Sequence, residues 1–143
     1  LGIRKNIKNA RTNSDLVTLV RLLNLKKNRE QTLRRCISGS IKTQENLKRQ
    51  TEGCRIKREQ ICEQLKELTH WQGVLEANEF AEHKELFHSF YEQEREQLSK
   101  RNEFLMQLKQ IGKKLQELQL LLKLNLIKQE KLRILIKDES NSY

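Results

Sequence analysis

Proline is absent from this 143-residue chain, and glycine occurs five times. Tight turns draw on those two residues, so their scarcity argues against a compact domain built from many short elements. Aromatics are few as well: one Trp, two Tyr and four Phe, too little bulk for a globular core. The three cysteines, Cys36, Cys54 and Cys62, are odd in number and lack CxxC spacing. No disulfide framework is implied, and a reduced, cytosolic chain is expected. The most apolar run, 118–127, is interrupted by Gln119, Lys123 and Asn125. At about half the length of a bilayer span it gives no membrane segment. The N-terminus has no apolar signal region. Leu1 in place of an initiating methionine gives the expectation of a fragment of a longer protein.

Catalytic motifs are missing too. There is no P-loop, no GxGxxG and no GxSxG, and the glycines needed to build them are not there. His70, His83 and His88 do not share a helix face, whereas a metal centre needs three or four converging ligands. No catalytic, cofactor-binding or metal-binding residue is therefore expected, and the chain reads as a non-enzyme.

Leu, Lys, Glu, Gln and Arg dominate the composition, the usage of long helices and coiled coils. Apolar residues recur at alternating spacings of three and four, in two frames. The first frame covers 16–75, with a positions from Leu16 to Gln72 and d positions from Leu19 to Leu75. Its partner-packing residues are Leu16, Leu19, Leu23, Leu33, Ile37, Leu47, Ile61, Leu65, Leu68 and Leu75, with Cys54 as a small apolar d residue. The second covers 80–139, with a positions from Phe80 to Ile136 and d positions from His83 to Glu139. It contributes Phe80, Phe87, Phe90, Leu108, Ile111, Leu115, Leu118, Leu122, Leu132 and Ile136, with Phe104 at a further d position. Eleven of eighteen seam positions are apolar in each frame, where the overall 36% would give six or seven, so helix is the firm expectation.

The last a position of the first frame is Gln72 and the first of the second is Phe80, eight residues on. That slip of one residue has two explanations. One is a nearly continuous rod with a skip residue. The other is an antiparallel helical hairpin turning at 76–79, Glu76-Ala77-Asn78-Glu79. In a hairpin, the register in which facing residue numbers sum to 155 matches apolar with apolar and polar with polar best. It pairs Leu33 with Leu122, Leu23 with Leu132, Arg58 with Gln97 and Glu30 with Asn125. Asn78 is the only natural turn residue at the proposed turn. Gly39, Gly53, Gly73 and Gly112 are weak points in the helices. The expected organisation is a basic N-terminal segment 1–15, coiled-coil segments 16–75 and 80–137 flanking a turn at 76–79, and a frayed tail 138–143. Thr12 and Asp15 have capping-box spacing, which predicts a helix start there.

Charge is uneven. The chain carries 29 basic and 19 acidic residues, net +10. Residues 1–60 hold net +11, 61–100 net −5 and 101–143 net +4. Such a surface favours anionic partners. The candidate anion-binding residues are Arg4, Lys5, Lys8, Arg11, Lys26, Lys27, Arg34, Arg35, Lys48 and Arg49. Asn28-Arg29-Glu30-Gln31-Thr32-Leu33-Arg34-Arg35-Cys36 resembles the basic region of bZIP factors over nine residues. Gln31 and Thr32 stand where that family has alanines, and no regular leucine zipper follows at the required distance, so no DNA-reading fork is expected.

Segments 16–25 and 118–136 are apolar almost all round, which implies burial by several neighbours. Trp71, Phe80, Phe87, Phe90, Tyr91 and Phe104 concentrate the aromatics in one stretch, as a thicker seam layer or a docking site. The expectation is an all-α structural subunit completed by other coiled-coil chains, in a homo- or hetero-oligomer. Microtubule-linked machinery (cilium, centrosome, spindle or kinetochore) suits a basic helical protein because tubulin's tails are acidic, which places the chain in the cytoplasm on the cytoskeleton. The alternatives are a nucleus-located coiled coil binding nucleic acid or chromatin, and a vesicle tether.

Overall fold

A computed structural model describes the backbone of residues 2–71 and 77–141, and the side chains of residues 13–70, 79 and 81–141. It is all helix: α1, Gly2–Trp71, and α2, Ala77–Asn141, pack against each other as an antiparallel hairpin. No strand occurs among the described residues. The hairpin excludes the rod.

Three expected boundaries change. Ala77, Asn78 and Glu79 are the first residues of α2 rather than a turn, and α1 ends at Trp71. Gln72, Gly73, Leu75 and Glu76 lie outside the described residues. The helix does not start at the capping-box residues Thr12 and Asp15, since α1 already begins at Gly2. Nothing between Gly2 and Asp15 breaks a helix, and Ala10, Lys5, Lys8 and Arg11 are good formers. At the other end α2 continues through Asn141, so most of the tail expected to fray is helical.

Local chemistry explains why helices of 70 and 65 residues hold. Threonine is a poor helix former because its hydroxyl competes for the backbone. Here Thr18, Thr32, Thr51 and Thr69 each donate that hydroxyl to the carbonyl four residues back, at 2.8–3.2 Å. Gly39, Gly53 and Gly112 sit within helix with no positive φ. On the exposed faces Glu96–Lys100 and the Glu52–Arg55–Glu59 cluster pair at three- and four-residue spacing, and exposed Arg34 reaches back to half-buried Glu30. Each such pair adds a few tenths of a kcal/mol, about 0.2–0.5.

The core is a single seam. Every described a and d residue of both frames is buried or half-buried, and the only other residues not exposed are Gly53, Leu98 and Gly112. Leu23, Leu33, Leu47, Cys54, Ile61 and Leu115 form its most enclosed apolar part, at 2–9% exposure. The hairpin divides into two packed units. One comprises Leu1–Ile41 with Lys114–Tyr143, and the other Lys42–Lys113.

Candidate partner-docking surface

The residues expected to pack against a partner helix do so within the chain. Leu16, Leu19, Ile37, Leu65, Leu68, Phe87, Phe90, Leu108, Ile111, Leu118, Leu122, Leu132 and Ile136 are half-buried, and Leu23, Leu33, Leu47, Ile61 and Leu115 are buried. Their partner is the other helix of the hairpin. Leu75 and the Phe80 side chain lie outside the described residues. Among the described members of the aromatic cluster, Phe87, Phe90 and Phe104 are half-buried on the seam, while Tyr91, 53% exposed, stacks on Phe87 with ring centroids 6.2 Å apart; the Trp71 side chain lies outside the described residues.

Polar seam positions are satisfied in two places, one in each unit. In the unit Lys42–Lys113, Arg58 Nη2 and Nε donate to Glu94 Oε1 at 2.8 and 3.1 Å. The sequence register set Arg58 against Gln97. The guanidinium instead reaches a carboxylate one turn along α2, where a charge-assisted bond outweighs the amide contact. In the unit Leu1–Ile41 with Lys114–Tyr143, the Gln129 side chain is fully enclosed. Its Nε2 donates to Asn125 Oδ1 at 2.7 Å, Glu30 Oε1 at 2.9 Å and, more distantly, the Lys26 carbonyl at 3.4 Å. Its Oε1 accepts from Arg133 Nη2 at 3.0 Å. Arg34 Nε donates to the other Glu30 oxygen at 2.7 Å. The Arg34 bond, then the Gln129 bond, holds the Glu30 carboxyl below the ordinary carboxylate range. The Arg55 guanidinium does the same to Glu52 and is itself pushed up in return.

The candidate anion-binding residues separate once the chain is folded. Lys27, Arg35, Lys48 and Arg49 are exposed, with Arg35 Nε donating to the Gln31 carbonyl at 3.5 Å. Lys26 is half-buried at a d position, and Arg34 is held by Glu30. Arg4, Lys5, Lys8 and Arg11 are in α1, with side chains outside the described residues. Lys48 and Arg49 belong to the unit Lys42–Lys113, which holds 13 basic and 13 acidic residues and is neutral. The other unit holds 16 basic and 6 acidic residues, net +10, the whole excess of the chain. Lys123, Lys128, Lys131, Arg133 and Lys137 are part of it, and the linear charge profile had assigned them to a weakly basic end.

Apolar exposure gathers in that same unit. Among the described residues seventeen large apolar side chains are exposed, and twelve lie there, including Val17, Leu25, Leu120, Leu124 and Ile134. Isolated exposed leucines are ordinary, but a contiguous set marks an interaction surface. A shallow apolar groove on α2 is lined by Gln119, Leu122, Lys123, Leu126, Ile127 and Glu130.

Cys36 and Cys62 are exposed and Cys54 is buried on the seam, all three as free thiols. His88 Nε2 lies 3.1 Å from Glu92 one turn away. No group of three His, Cys, Asp or Glu converges among the described residues, and no helix is long and apolar enough to cross a membrane. No family model, curated protein or solved structure matches the chain.

Proposed function

We propose that the chain is a non-enzymatic structural subunit that assembles with other helical chains in a cytoplasmic, cytoskeletal complex, with acidic filaments such as microtubules as its setting. One observation carries the reading. Twelve of the seventeen exposed large apolar side chains among the described residues and the entire net charge of +10 fall in one unit of the hairpin. A two-helix unit cannot cover its own outer apolar faces, and further helices cover them best. A surplus of cations draws that assembly toward an anionic partner, by attraction that salt screens. The cilium, centrosome, spindle and kinetochore enter by analogy with the acidity of tubulin's tails.

The same charge supports a second reading, a basic coiled coil bound to nucleic acid. Co-sedimentation with microtubules, against retention by duplex DNA, at stepped salt separates the two. Reversing Lys27 and Arg35 to Glu, both exposed, weakens whichever interaction is real. Unchanged binding by that variant makes the basic surface a solvated face. Preference for DNA at matched salt transfers the chain to the second reading.

A further inference from the structure

On α2, Leu120, Leu124, Ile127 and Ile134 follow one another at spacings of four, three and seven, with Lys131 filling the gap. This is a second heptad stripe, on the side of the helix turned away from the a and d seam. All four are exposed, at 43–57%. Leu121 and Leu135 stand beside them at 46% and 49% exposure. Exposed apolar side chains gathered along one face of a helix mark an interaction surface rather than isolated surface leucines. The stripe is about 21 Å long at 1.5 Å per residue, the reach of four helical turns. A stripe with heptad spacing is complementary to another helix that has the same spacing.

The charges around the stripe select the occupant. Residues 118–137 hold Lys123, Lys128, Lys131, Arg133 and Lys137 against Glu130 alone, and Glu130 lies 3.6 Å from Arg133. The same face of a second copy would set these cations against their own kind, in a unit already at net +10. A helix with glutamates flanking its apolar stripe meets a cation on each side. We propose that the face of α2 along 120–134 seats an acidic amphipathic helix of another chain. The inference rests on the assembly reading above and specifies the chemistry of its partner.

The probe is a pair of fluorescein-labelled 21-residue peptides with leucine at two positions of each heptad, flanked by glutamate in one and by lysine in the other. Anisotropy against the full chain should show the glutamate peptide binding at least about tenfold tighter than the lysine peptide, with the difference shrinking as salt rises. Leu124→Gln with Ile127→Gln should weaken it by about tenfold or more, because central apolar anchors dominate such contacts. Both positions are exposed, so helix content by circular dichroism stays unchanged. Leu86→Gln, exposed in the other unit, should leave binding as it was. Equal affinity for the two peptides, or binding of neither, overturns the proposal. So does a wild-type dimer in sedimentation that the double variant dissolves, which gives the face to a second copy. Binding to phosphatidylserine vesicles that the same variant abolishes overturns it in favour of a lipid surface. Loss of microtubule binding with glutamate-peptide affinity intact sinks only the cytoskeletal setting, and the reverse result sinks only this inference.

Discussion

The enclosed Gln129 network gives a quantitative test of what buried polar groups contribute here. Gln129→Ala removes the donor to Asn125 Oδ1, a residue only 6% exposed, and leaves that oxygen without its 2.7 Å partner. An unsatisfied buried acceptor costs about 1–3 kcal/mol. Truncating a fully enclosed side chain adds a cavity term of about 1 kcal/mol or more. The expected loss is therefore about 2–4 kcal/mol, read as a lower urea midpoint of the 222 nm signal. Replacing both groups, Gln129→Leu with Asn125→Leu, removes the orphan and gives the seam apolar layers. Exchange of buried polar networks for apolar residues of similar size is often neutral or stabilising, by about 1–4 kcal/mol. The double variant should thus melt at or above the wild-type temperature while losing the Gln129–Glu30 bond, by which the network joins the two helices across the seam. Spin labels at positions 23 and 132, narrow in their distance distribution in the wild type, should broaden as neighbouring registers become populated. A double variant as unstable as Gln129→Ala, with the label distance still narrow, refutes the reasoning. The network would then be a source of stability rather than of register.

Gly39→Ala should raise stability by about 0.8–1 kcal/mol in the same urea titration, since its φ is ordinary and an added Cβ meets nothing within 4 Å. Glu30 and Glu52 are depressed in the folded chain by Arg34 and Arg55, so their contribution is complete above the ordinary carboxylate range and lost as pH falls through their lowered values. Melting temperatures should drop below about pH 4, and Glu52→Gln should make that acid limb shallower. Arg58→Leu should destabilise by leaving Glu94 half-buried without its partner, and adding Glu94→Leu should recover most of the loss. The wild-type labels at 23 and 132 should read about 10–15 Å by dipolar broadening, given helix axes about 8–10 Å apart.

Much of the candidate surface was legible before folding, though not its address. The apolar excess of 118–136 is visible in the sequence as leucines off the seam, and Leu120, Leu121 and Leu124 are exposed in the fold. The basic candidates all lie within 1–60, where the linear charge profile puts its excess. Folding exchanges Lys48 and Arg49, in a neutral unit, for Lys123, Lys128 and Lys131. Charge adds up in space, and a linear profile cannot anticipate which distant segment comes alongside. Arg58 shows the same limit at the scale of one turn, since register named Gln97 and the guanidinium's reach found Glu94.

The amino-acid pattern alone determined that the chain is helical and which stripe each helix buries. With no proline, no long turn sequence and seam residues every three or four positions, no other regular structure hides those side chains, and the described a and d positions are accordingly the enclosed ones. A heptad stripe, however, says only that a helix must be covered, and is equally served by a helix from the same chain or another, parallel or antiparallel. Tertiary structure decided that α1 and α2 cover one another. It ends α1 at Trp71 and begins α2 at Ala77, inside the 76–79 segment that the slip in the seam suggested as the turn. By bringing Leu1–Ile41 beside Lys114–Tyr143, it gathered two basic, apolar ends into one unit, because a hairpin joins the parts of a chain that lie farthest apart in sequence.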